Sequence, residues 1–351
     1  MSLNTLNEIA EYIVSDGKGI LAADESTGTI KKRFDTIDTE SNENNRRAYR
    51  EMLFQSEGMK DNIGGVILFD ETIKQNAADG SSLISVILKQ GALPGIKVDK
   101  GLSPIKDGSE ETVTNGLDDL DQRCKEYYKI GAKFTKWRAV INIGDGIPSD
   151  NCIDENMSRL AQYAKIVQVN KMVPIVEPEV LMDGSHDIDQ CYSATSRVLK
   201  SLFAHLVDLG VDIEGTILKP NMVISGSTCP EQAGVQEVAK KTLKCLIENV
   251  PEDLPGITFL SGGQSDIDAT AHLDAMNKIG GFKWKLSFSY GRALQQAALK
   301  TWMGKDENIH SAQAAFSHRA LMNKEAALGI WNKDSETVSY THLTLPTILP
   351  V

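Results

Sequence analysis

A closed (β/α)8 TIM barrel, in the α/β class, is the fold this sequence predicts, and three observations predict it. Eight short apolar runs recur at intervals of roughly 30 to 45 residues, the spacing of a strand followed by a helix and its loops. Helical patterns such as 160–169 and 235–247 fill the intervals. An open doubly wound sheet, the main alternative, ordinarily announces a nucleotide site with a glycine-rich first turn, and neither GxGxxG nor GxxxxGK(S/T) occurs.

In chain order, residues 1–15 read as an amphipathic helix, with Leu6, Ile9, Ala10 and Ile13 on one side. The strand-like runs follow at 19–23, 65–69, 95–98, 133–141, 172–176, 215–218, 256–260 and 285–289. No linker, repeat or low-complexity tract interrupts them, so residues 1–336 are expected to form a single barrel domain with an N-terminal helix.

Composition narrows the function. With 41% hydrophobic and 24% charged residues the chain has the make-up of a soluble globular protein. A net charge of -11 argues against nucleic acid as a partner, although one cleft can still focus positive potential on a small anion. Five scattered cysteines form no CxxC pair and no even framework, which fits reduced thiols in the cytoplasm. The start lacks the basic and apolar blocks of a signal peptide, and no window is apolar enough to span a membrane. The six histidines never pair at metal-ligand spacing, so no metal is expected.

Barrel active sites lie at the C-terminal ends of the strands, and polar residues collect there. Lys219 ends the apolar run 215–218, where a parallel sheet normally buries aliphatic side chains. Burial and a nearby cation lower the pKa of an ammonium group and yield the neutral amine that attacks a carbonyl. Taken alone, Lys219 fits a lysine snorkelling from a strand end better than a reactive one. It is not alone: the first run ends in Asp24-Glu25-Ser26, the third holds Lys97 and Asp99, the fourth Lys136 and Arg138, and the fifth leads into Glu177 and Glu179. Each has an ordinary explanation, as a helix cap, a solvated strand end or a surface ion pair, but not a shared one. After the last two runs, Ser261-Gly262-Gly263 and Ser289, Gly291 and Arg292 put small residues and a guanidinium where barrels bind phosphate.

These segments resemble the class I fructose-1,6-bisphosphate aldolases. GKGILAADEST (17–27), GGVILF (64–69), GIKVDKG (95–101), AKFTKWR (132–138), VPIVEPE (173–179), LKPNMV (218–223), FLSGGQS (259–265) and FSYGRALQ (288–295) follow that family's signature order from about residue 4 to about residue 329. The resemblance implies a lyase of glycolysis and gluconeogenesis that cleaves fructose 1,6-bisphosphate reversibly to dihydroxyacetone phosphate and glyceraldehyde 3-phosphate, with no metal or cofactor. By motif position Lys219 corresponds to the Schiff-base lysine, Glu177 to the acid/base of imine formation, and Asp24 to the carboxylate of C–C cleavage. Lys136 and Glu179 correspond to residues that tune charge around the amine. Ser261, Gly262, Gly263, Ser289, Gly291 and Arg292 correspond to one phosphate site, and Ser26, Thr29, Arg33, Lys97 and Arg138 to the other end of the substrate. The family further implies a cytoplasmic homotetramer with cytoskeletal partners. The competing readings are another imine-forming barrel with one phosphate site, of the transaldolase kind, and a chain that serves chiefly as a scaffold.

The end departs from the family, whose mobile tail finishes in a tyrosine that reaches the active site. Residues 337–351 contain no acidic or basic residue apart from His342, end in Val351, and offer only Tyr340 as a substitute. A lineage-specific tail and a cloning or assembly artefact both fit, and the artefact is the reading favoured here. On that reading, slower turnover on the bisphosphate than with a tyrosine-ended tail is expected.

Overall fold

The computed structural model describes residues 3–337. Tyr340, Val351 and nearly all of the atypical tail lie outside them. Eight parallel strands close into a barrel: β1 (Gly19–Ala23), β2 (Ile63–Leu68), β3 (Leu93–Lys97), β4 (Phe134–Ile141), β5 (Val173–Val180), β6 (Ile217–Leu218), β7 (Gly256–Phe259) and β8 (Lys285–Tyr290), with β8 pairing back onto β1. Every expected run is a strand. The expected helices run beyond their sequence patterns, starting already at Asp150 in the first (Asp150–Val169) and ending only at Asn249 in the second (Val235–Asn249).

Alternation along the strands sorts side chains into two layers. Leu21 and Ala23 of β1 face outward into the core between sheet and helices, whereas Ile20 and Ala22 face the barrel axis. The axial layer also takes Ile67, Leu93, Phe134, Val173, Ile175 and Ile217, and the N-terminal helix Leu6–Ile13 caps it with Ile9, Ala10 and Ile13. Thr5 opens that helix, accepting from the Glu8 N–H while the Glu8 carboxylate returns to the Thr5 N–H. Glycine is required where the cap and the largest axial ring press closest. A Cβ on Gly64 would stand 2.0 Å from the Ile13 carbonyl oxygen, and one on Gly95 would stand 2.2 Å from the Phe134 ring.

One element has no counterpart in the expected pattern. Between β3 and β4 the chain makes a small antiparallel hairpin, Leu102–Pro104 with Thr112–Thr114, that overhangs the C-terminal end of the barrel. Gly101 and Leu102 from its base line the cavity described next.

Candidate active site

The axial rows continue upward from the apolar floor and change chemistry at one level. Ile20-Ala22 is followed by Asp24, Gly95 by Lys97 and Asp99, Phe134 by Lys136 and Arg138, Ile175 by Glu177 and Glu179, and Ile217 by Lys219. Each residue lies two or four positions beyond a floor residue and so points the same way. The result is a cavity of about 400 Å3 at the C-terminal mouth, lined by all sixteen residues expected from the sequence.

Lys219 reaches its place because β6 is only two residues long. Its N–H donates to the Val176 carbonyl at 2.8 Å, Pro220 then ends the pairing, and the Asn221 side-chain oxygen accepts from Val180 N–H at 3.0 Å. The amine is 4% exposed, so the snorkelling alternative fails. Glu177 lies between two ammonium groups, with Lys219 Nζ 3.0 Å from one carboxylate oxygen and Lys136 Nζ 3.2 Å from the other. Lys136 also sits 2.8 Å from Asp24 and 3.9 Å from Asp99, while Arg138 pairs with Glu179. Glu177 and Glu179 are buried strand residues, because β5 runs on through Val180, and they are not surface pairs. Asp24 caps no helix; Ser26 is the cap of Thr27–Asp35.

Charge state follows from this packing. Burial opposes the Asp24 carboxylate, but Lys136 and then Lys219 outweigh it and hold its pKa well below the carboxylate range. Burial likewise opposes the Lys136 ammonium, and Asp24, Glu177 and Asp99 together raise its pKa, keeping it charged. Glu177 is lowered by the same balance, with burial overcome by Lys136, Lys219 and Arg138. Glu179 goes the other way: burial, reinforced by the Glu177 charge, pushes it up despite Arg138. Two carboxyl groups on one strand are thus driven apart, the arrangement that separates proton donor from acceptor.

At the β7–β8 side, Gly262 and Gly263 take positive φ of 52° and 78°, and a Cβ on Gly263 would meet Met182 Sδ at 2.5 Å. The buried Ser289 hydroxyl has no hydrogen-bond partner among the described residues. On the opposite side the Ser26 hydroxyl, 3.0 Å from that of Thr29, stands near Lys97, which Asp99 fixes at 3.0 Å. Arg33 was expected at this second end. Its Nη2 lies 3.4 Å from where a Cβ on Gly291 would sit, so it stands against the Arg292 side.

Sequence reasoning gave no role to Glu25 or Arg50. Glu25, buried in the wall of the same cavity, pairs with Arg33 while accepting from Gln295 Nε2 at 2.9 Å. Arg50, fully buried, donates to the Glu25 carbonyl at 2.8 Å and Thr72 Oγ1 at 2.6 Å. No strand-parity signal marks them: Arg33 is eight residues from Glu25, and their other partners are 22 to 270 residues away. Asp99 had a signal, two residues beyond Lys97 on the same face.

A parallel barrel with an amine and graded carboxyl groups buried at its C-terminal mouth defines the class: a (β/α)8 enzyme equipped for imine chemistry on an anionic carbonyl substrate. The family model for class-I fructose-bisphosphate aldolase matches residues 5–345, and the chain belongs to that family. It is 54% identical to a probable class 1 fructose-bisphosphate aldolase of Xanthomonas axonopodis pv. citri, over 94% of this chain and 99% of that one. With a cytosolic fructose-bisphosphate aldolase of Arabidopsis thaliana it shares 52% identity, over 93% and 84% of the two chains. The solved structure of Plasmodium falciparum fructose-bisphosphate aldolase, in complex with TRAP and a small-molecule inhibitor, superposes with a TM-score of 0.92 at 47% identity, covering 93% of this chain and 95% of that one. The reaction is the reversible cleavage of fructose 1,6-bisphosphate through a lysine Schiff base, a step of glycolysis and gluconeogenesis.

Proposed function

We propose that Lys219 is the amine that carries this cleavage. The observation behind it is the sharing of one buried carboxylate, Glu177, between Lys219 at 3.0 Å and Lys136 at 3.2 Å. A proton on Glu177 Oε1 can pass to and from the Lys219 nitrogen without leaving the cavity. Lys219 gives a proton to the Glu177 carboxylate and adds to the C2 carbonyl as the neutral amine, and Glu177 returns that proton as the carbinolamine oxygen departs as water. The protonated imine then accepts the electron pair of the C3–C4 bond as that bond breaks. Asp24 takes the C4 hydroxyl proton. A carboxylate held so low is a weak base, so substrate entry must loosen its contact with Lys136 before this step. Glu179, pinned by Arg138, sets the field around Glu177.

In this reading Ser261, Gly262, Gly263, Ser289, Gly291 and Arg292 hold one phosphate, while Ser26, Thr29, Lys97 and Arg138 hold the other. Arg33 joins the first group, given its approach to Gly291. Two anionic ends favour a bisphosphate over the single-phosphate substrate of a transaldolase-like barrel. Borohydride with dihydroxyacetone phosphate is expected to trap one adduct at Lys219, located by peptide mass; trapping that survives Lys219→Met defeats the assignment.

The same proposal takes residues 1–336 as one barrel domain and residues 337–351 as outside it, and places the protein in the cytoplasm as a homotetramer. Relatives named cytosolic support the location, and no described helix is long and apolar enough to cross a membrane. Cytoskeletal partners, if they meet the anion-binding mouth, will be released by substrate in a pull-down.

A further inference from the structure

We propose that His272 is a positioning residue for the phosphate end of the site, acting through Gln264 on the Ser261–Gly263 turn and on Arg292. This rests on the assignment of that turn and Arg292 to a substrate phosphate. Neither His272 nor Gln264 lines the cavity, and the sequence reading gave neither a role.

Gln264 is the point where the phosphate end is tied together. Its backbone N–H donates to the Ser261 carbonyl at 3.0 Å and its side-chain Nε2 donates to the same oxygen at 2.8 Å, closing the turn from two directions. Its own carbonyl accepts from Arg292 Nη2, which parks the guanidinium beside the turn. A turn with two successive glycines at positive φ has little stiffness of its own, so these bonds set where its N–H groups point.

One group of Gln264 remains, the side-chain oxygen, and His272 holds it: Nδ1 lies 2.6 Å from Oε1. Because Nε2 of the amide is committed to Ser261, Oε1 must be the atom facing the imidazole, and Nδ1 must donate. Burial keeps the ring's pKa below the ordinary histidine range, with Asp268 opposing, so His272 works as a neutral donor. The helix Asp266–Ile279, capped by the Ser265 hydroxyl, carries His272 and holds it rigidly under the turn. Without the imidazole, Oε1 is a buried acceptor with nothing to accept, and the amide gains by rotating away from Ser261.

The decisive readouts are the inhibition constant of inorganic phosphate and the KM and kcat for fructose 1,6-bisphosphate. Arg292→Ala should raise both phosphate-sensitive constants roughly tenfold or more; if inorganic phosphate still binds as before, the site reading fails and this inference with it. Given that loss, His272→Leu should raise both constants by roughly five- to tenfold while kcat stays within about twofold. His272→Asn, whose Nδ2 can stand in for Nδ1, should return them to within about twofold of the native values. Native phosphate constants in His272→Leu, a loss confined to kcat, or no rescue by asparagine each overturn the role. Gln264→Met cuts the same link from the other side and should give the same loss, so native constants there overturn the proposal even if His272→Leu fails to fold. Combining the two substitutions should add nothing further, and additive effects would show that His272 acts by another route.

Discussion

Glu177, Asp24 and Lys136 form a buried network in which one ammonium serves two carboxylates, and its removal exposes what each contributes. Lys136→Met leaves Asp24 facing its burial with only the weaker attractions of Lys219 and Lys97, while Glu177 keeps Lys219 at 3.0 Å. We expect a loss of about 3 kcal/mol in unfolding free energy, the low end for stranding a buried charge. The pH dependence has a definite sign. In the native protein the folded pKa of Asp24 is depressed, so its stabilisation is complete above the unfolded carboxylate value and vanishes only in strong acid. With Lys136 gone, burial, the largest influence on Asp24, should lift its folded pKa above the unfolded one, and stability should then be regained as pH falls through it. The gap between urea midpoints of native and variant should therefore shrink from about pH 7 to about pH 5; a gap that holds or widens contradicts this. These residues were legible in the sequence because strand parity carries them upward from apolar neighbours. Glu25 and His272 were not, because what brings them to Arg33, Gln295 and Gln264 is loop and helix geometry rather than strand parity.

At the scale of elements, the eight strands were legible because a parallel barrel buries both faces of every strand, leaving apolar runs that need no partner to be recognised. The hairpin Leu102–Pro104 with Thr112–Thr114 was not, since its strands are three residues long, partly exposed and rich in serine and threonine. The strands' glycines carry a different message, namely that the barrel floor is packed against backbone. Gly95 pairs with Phe134 across β3 and β4, and any Cβ there enters the ring at 2.2 Å. Gly95→Ala should cost about 2 kcal/mol through overpacking, read from urea midpoints. Adding Phe134→Leu should recover part of that loss, because the second change removes the atoms the first one strikes; simple addition of the two penalties would show that the strain lies elsewhere.

At the scale of the whole molecule, an ion pair ties the end of the described chain to the barrel's last long helix. Arg319, on the long helix Ile309–Ala327, is 5% exposed at its side chain and receives Glu336 in a two-pronged contact, 2.7 Å at each nitrogen. Trp331 Nε1 donates to the same carboxylate at 2.9 Å, so the segment after the last helix folds back on itself and seals over a buried guanidinium. Arg319 otherwise has Thr270 Oγ1 at 3.1 Å, a neutral partner that cannot balance its charge. We propose residue 336 as the domain limit because Glu336 supplies this counter-ion. A chain ending at Glu336 should keep the native urea midpoint and trap dihydroxyacetone phosphate at Lys219 as well as the full chain does. A chain ending one residue earlier, at Ser335, should lose about 3 kcal/mol, because a buried charge has lost its counter-ion. If the two truncations unfold together, the ion pair does not close the domain; if the longer one is already destabilised, residues beyond 336 belong to the fold and the proposed boundary is wrong.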